Sequence, residues 1–150
     1  MAILNQLQND LKQALKDSEE SLRDTVRLIL AQIKNRAIEL GENLVDLSEE
    51  EVIKVLRREI KKRKESIAAY EKASRLELAE KEKKELSILE KYAPPMMSDS
   101  DLEKLVADTV AELGGKEAVN FGQVMQVVMQ KTSGQADGKK VSELVKKALN

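Results

Sequence analysis

Apolar residues recur at three- and four-residue intervals along almost the whole of this chain, and two consecutive prolines, Pro94 and Pro95, interrupt the pattern once. Such spacing lines one face of a helix, and no segment alternates apolar and polar residues as a half-buried strand does. The first stripe is Leu4, Leu7, Leu11, Ala14 and Leu15. The second is Leu22, Val26, Ile29, Ile33, Ala37 and Leu40, closed by Gly41 as the residue just past a helix end. Residues 42–47 read as a loop, and Ser48-Glu49-Glu50-Glu51 as a capping box in which hydroxyl and carboxylate satisfy orphan amides. A third helix carries Val52, Ile53, Leu56, Ile60, Ile67 and Tyr70. A fourth runs from about Ser74 to Tyr92 through Leu78, Ala79, Leu86 and Leu89.

The prolines remove two amide donors and force an extended path, so the fourth helix stops there. Beyond them Ser98, Asn120 and Asp137 are N-cap residues for three shorter helices, separated by Gly114-Gly115 and by Ser133-Gly134-Gln135-Ala136. The expected fold is all-α and multihelical, in two helical subdomains. Residues 1–93 form about four helices, and residues 94–150 form a three-helix tail near the lower size limit for an independent core.

Composition excludes much chemistry. The chain has no histidine, cysteine or tryptophan, and its only aromatic residues are Tyr70, Tyr92 and Phe121. Imidazole acid–base catalysis, a thiol nucleophile, a disulfide framework and a Cys/His metal site are all impossible. No metal or cofactor is implied, and a self-sufficient catalytic site is not expected. The N-terminus lacks the basic and apolar regions of a secretory signal, and no uncharged apolar run approaches membrane-spanning length. A cytoplasmic location is the expectation.

The net charge is −1, yet residues 54–64 hold Lys54, Arg57, Arg58, Lys61, Lys62, Arg63 and Lys64 against the single acid Glu59, a local charge of +6. At about 100° per residue, six of these cations fall within roughly a 160° arc. A basic helix face of this kind can meet phosphates through charge and counterion release; it can equally be a solvated exterior. Arg63 projects the other way, onto the stripe of Leu56, Ile60, Ile67 and Tyr70. A guanidinium there needs a carboxylate or carbonyl partner, and the fourth helix offers Glu82 or Glu85 on its own stripe. That pairing accounts for the two glutamates better than acid–base or metal chemistry does.

In the tail, Gly122 permits close helix approach, Gly134 terminates a helix and Asp137 caps the next. Lys131, Lys139 and Lys140 flank a helix N-terminus, whose amides favour anions. No GxGxxG or Walker spacing is present.

Gly122-Gln123-Val124-Met125, then Lys131, Gly134, Ala136 and Asp137 before Val141, Leu144 and Leu149, resemble the closing motif of the GatB/YqeY family. RREIKKRKESIAAY from Arg57, RLELAEKEKKE from Arg75 and ILEKYAP from Ile88 are similar in order and spacing to the stand-alone YqeY-like members, so the resemblance spans essentially the whole chain. It implies a helical fold of two subdomains, related to the C-terminal tail of the B subunit of tRNA-dependent amidotransferases and to an appended domain of some glutaminyl-tRNA synthetases. The tail residues that carry over are Gly122, Met125, Lys131, Gly134, Ala136 and Asp137. The chain departs from the family at Ala93, where leucine is common, at Pro95 or Met96, where glutamine is, and at Asp137-Gly138, where the amidotransferase tails often have Asn-Pro. The implied function is that of a tRNA-binding accessory protein, without the amidotransferase body. An adaptor docking to an aminoacyl-tRNA synthetase or amidotransferase is the alternative. A carbon–nitrogen ligase with glutamine as amido donor rests on the family label alone.

Overall fold

A computed structural model describes residues 2–150. It is all-α, with no strand among the described residues: α1 (Ala2–Asp17), α2 (Glu20–Leu40), α3 (Glu49–Lys72), α4 (Leu76–Glu90), α5 (Asp99–Glu112), α6 (Phe121–Thr132) and α7 (Gly138–Leu149). A 3₁₀ turn, Leu44–Asp46, lies between α2 and α3. The chain divides into two compact units, Met1–Pro94 and Pro95–Asn150.

In the first unit α2 and α3 each pack against the other three helices. Leu7, Val26, Ile33, Leu47 and Leu56 are completely excluded from solvent at its centre. Burial of each such side chain stabilises the fold by about 1.5–3 kcal/mol relative to exposure. Leu15, Leu40 and Leu78, which spacing assigns to the apolar stripes, are exposed. Leu15 and Leu78 lie within about 20° of helix arc of the buried Leu4 and Leu89, but each stands in a terminal turn of its helix, α1 or α4. Leu40 stands at the last turn of α2, where Gly41 adopts φ 69° and closes the helix.

The capping box at α3 forms only by half. Ser48 Oγ accepts the Glu51 amide at 3.3 Å, but the Glu51 carboxylate does not return to Ser48. It takes Lys54 Nζ at 2.8 Å and Arg36 Nε at 2.7 Å, and these two cations, Lys54 first, hold its carboxyl below the usual carboxylate range. Glu49 reaches across to α1, accepting the amides of Ala2 and Ile3 at 2.9 and 3.1 Å. A helix that has no acidic residue in its own first turn thereby gains one from α3.

Tyr92, just past α4, ties that end of the unit to α1 by donating its hydroxyl to Asp10 Oδ2 at 2.6 Å. Burial, reinforced by the Asp10 hydrogen bond, pushes the phenol well above its ordinary value of 10.0. The folded state therefore holds this proton more tightly than the unfolded chain does. Its contribution to stability is complete below pH 10 and is lost as the pH rises beyond that value. Urea titrations between pH 7 and pH 12 should show stability falling above pH 10, and Tyr92→Phe should flatten that fall while costing about 1 kcal/mol at neutrality.

The second unit has a thin core of Leu102, Val106, Val110, Val124, Val128, Val141 and Val145. Its helices start on side-chain caps. Ser98 Oγ accepts from Asp101 N, and Asn120 and Gln123 form a complete capping box at 2.9 and 3.1 Å. Thr109 and Thr132 are fully buried, and each returns its hydroxyl to a carbonyl of its own helix, Leu105 O and Met129 O. α6 ends differently from the glycine stop read at position 134: the left-handed turn begins on Ser133, φ 46°, and continues through Gly134, φ 82°. A side chain at left-handed φ costs about 1 kcal/mol, so Ser133→Gly should raise stability by about that amount in thermal melts.

Candidate nucleic-acid interface

The basic stretch lies along the middle of α3, whose inner face is fixed by Val52, Leu56 and Ile60 in the core. Packing separates its six outward cations into two groups. Arg58, Lys61 and Lys62 are exposed and form no ion pair or hydrogen bond with any described residue. The other three are engaged. Lys54 lies 2.8 Å from Glu51 and 3.2 Å from Glu50, and Lys64 lies 3.7 Å from Glu90. Arg57 is half-buried and donates Nη2 to the Pro94 carbonyl. Burial lowers its pKa from the ordinary arginine value, which leaves it charged at any physiological pH. Arg58, Lys61 and Lys62 fall within roughly 100° of helix arc, the spread of a single contact face.

Arg63 occupies the opposite flank. Its side chain is 9% exposed, and Nη1 lies 2.9 Å from Glu82 Oε2 and 2.5 Å from Glu85 Oε2. One guanidinium nitrogen thus bridges both carboxylates of α4, while Nε is buried without a partner. The arrangement joins α3 to α4 and has no resemblance to a metal site. No group of three or more carboxylates able to hold a cation occurs among the described residues. Glu59, the one acid inside the basic stretch, is buried and forms no ion pair with a described residue. Its spacing, seven residues after Val52 and three after Leu56, places it on the inward stripe of α3.

In the second unit most lysines are already engaged. Lys131 Nζ lies 2.7 Å from Glu112 and 3.4 Å from Thr109 Oγ1, and Lys140 pairs with Asp99. Lys139 is exposed; its amide donates to Asp137 Oδ1 at 3.3 Å, so Asp137 caps α7. Gly122 is exposed, which corrects the reading of a close helix approach: a Cβ there would meet Asn120 Oδ1, the cap oxygen, at 3.4 Å. Met125, Gly134 and Ala136 are half-buried, and Met125 and Ala136 pack on the valine core. Lys146 lies over the Phe121 ring, 5.9 Å from its centre, a contact between α6 and α7 that no sequence spacing announces.

Comparison with known proteins decides the family. The profile described as Yqey-like protein matches residues 4–149, nearly the whole chain. The chain belongs to the Yqey-like family. Among curated relatives, altered inheritance of mitochondria protein 41, mitochondrial, of Clavispora lusitaniae is 33% identical over 119 residues, covering 78% of this chain and 68% of that protein. The protein of the same name from Pyrenophora tritici-repentis is 29% identical, covering 98% of this chain and 81% of its own length. The E subunit of the glutamyl-tRNA(Gln) amidotransferase of Sulfurisphaera tokodaii is 38% identical over 78 residues, covering 49% of this chain but 12% of that much longer protein. A Yqey-like chain thus shares sequence with one part of an amidotransferase subunit. No described helix of this member is long and apolar enough to cross a membrane.

Proposed function

We propose that this Yqey-like protein binds tRNA, as an accessory module, through the phosphates that meet Arg58, Lys61 and Lys62. The observation that carries the reading is their exposure without acidic partners on one face of a helix whose other side is locked in the core. The likeness to part of a protein named for glutamyl-tRNA(Gln) amidation supports the choice of tRNA among polyanions.

The aromatic inventory argues for phosphate contact over base reading. Tyr92 is buried, Tyr70 is half-buried, and Phe121 lies under Lys146. Tyr70, the one aromatic residue of α3, lies about 80° or more of helix arc from Arg58, Lys61 and Lys62, so none shares their face for splayed bases to stack upon. Recognition by charge alone is tolerant of sequence and steep in salt. Filter binding of total tRNA across a salt series tests it. Binding at low salt that weakens steeply with added salt is expected, and no binding at low salt defeats the proposal. Lys139 is a secondary phosphate contact on the second unit. Lys131 and Lys140 contribute less, because Glu112 and Asp99 already neutralise them.

A further inference from the structure

The three exposed cations of α3 form a band that is wider across the helix than along it. From Arg58 to Lys62 the axis rises about 6 Å, whereas roughly 100° of arc on a helix some 10–12 Å thick covers about 10 Å. Along the axis the band is closed by acids. Glu51 and Glu65 stand seven residues before and after Arg58, each within about 20° of its direction. Glu51 holds Lys54 and Arg36, and Glu50 also pairs with Lys54, so this side offers little free positive charge. Glu65 is exposed and forms no ion pair with a described residue. Its direction falls between those of Lys61 and Lys62, about one turn beyond Lys61. Past it, Ala68 and Ala69 are exposed on the same face and carry no side-chain donor. The next cation there, Lys72, stands about 16 Å beyond Lys61.

We infer that this face takes the backbone of a double-helical RNA stem lying across α3, and that Glu65 keeps a strand from running along the helix. The inference deepens the tRNA reading and rests on it. A polyanion laid along α3 brings a phosphate over Glu65 within a turn of Lys61, where like charges oppose each other. One laid across the helix meets Lys61, Arg58 and Lys62 in turn. So short a crossing favours a strand that is already ordered. A flexible single strand loses conformational freedom on binding, and stacking on aromatic rings normally offsets that loss; this face has no such ring. The phosphates of a stem are ordered beforehand by base pairing, and a stem is recognised through shape and backbone contacts. Duplex phosphates also release more counterions per contact than those of a single strand.

The test uses the full chain, a stable hairpin stem and an oligouridylate with the same number of phosphates, each titrated by fluorescence anisotropy across a salt series. The stem should bind at least about tenfold more tightly than the oligouridylate, with a salt slope of about three. Lys62→Gln, at the edge of the band, should lower that slope by about one. Glu65→Gln/Ala68→Lys removes the acid and adds a cation farther along the axis, at two exposed positions. Circular dichroism melts verify that both variants remain folded. Stem affinity in the double variant should change less than about threefold, with the slope unaltered. A slope that rises by about one there would overturn the inference, because the strand then reaches position 68 along the helix. An oligouridylate bound as tightly as the stem, or an unchanged slope in Lys62→Gln, would overturn it too. Any of these results with tRNA still bound defeats this inference alone. Failure of both tRNA and the stem to bind at low salt defeats the tRNA reading and this inference with it.

Discussion

Replacing Arg58, Lys61 and Lys62 together by glutamine should lower tRNA affinity on the order of a hundredfold at low salt. It should also reduce the slope of log affinity against log salt by about three. Each exposed cation that neutralises a phosphate releases about one counterion, so the slope counts contacts independently of the affinity itself. The substitutions touch neither the core nor an ion pair, so thermal stability should move by less than about 0.5 kcal/mol. Lys54→Gln and Lys64→Gln serve as internal comparisons. Their ammonium groups already face Glu50, Glu51 and Glu90, and approach of a phosphate must first break those pairs. Their effect on binding should be several-fold at most. Equal losses from the paired and unpaired groups would mean that bulk charge, not the exposed face of α3, holds the RNA.

Arg63→Met should cost about 2–4 kcal/mol without altering tRNA affinity in the protein that remains folded. Two carboxylates that now share one guanidinium nitrogen would be left facing each other in a partly enclosed site. The cost sits below the upper range for buried pairs for two reasons. Both glutamates retain some contact with water, and the variant removes the buried, unpartnered Nε donor. Adding Glu82→Gln and Glu85→Gln to Arg63→Met should recover more than half of the loss, because the triple variant buries no uncompensated charge. Urea denaturation of the three proteins measures both steps. An Arg63→Met protein as stable as the parent would show that the ion pair contributes nothing to the joining of α3 and α4.

Helix identity and helix starts depend on residues within a turn of one another, and these were legible in the chain. Ser98 and the Asn120–Gln123 box cap their helices by contacts three residues apart, and Gly41 ends α2 because a left-handed φ is easiest without a Cβ. The double proline marks where α4 must already have ended. Even local patterns failed where a distant competitor existed. The Ser48 box stayed incomplete because Lys54, three residues on, and Arg36, fifteen residues back, offer Glu51 charged partners in place of a backbone amide. The exposure of Leu15 and Leu78, in terminal turns of α1 and α4, depends on how far the neighbouring helices extend, which periodicity does not report.

Apolar spacing and composition suffice to make this chain all-α, to deny it every imidazole and thiol chemistry, and to concentrate positive charge on one helix. Which of those charges remain available is settled by packing. Arg57 is withdrawn to the Pro94 carbonyl, Lys64 to Glu90, and Lys131 to Glu112, through contacts between elements well separated in the chain. Packing also exposes Val45 although Leu44 and Leu47 beside it are held inward. The physical reason is one of range. Periodicity and capping act over a single helical turn, whereas burial and ion pairing are set by whichever helix packs alongside.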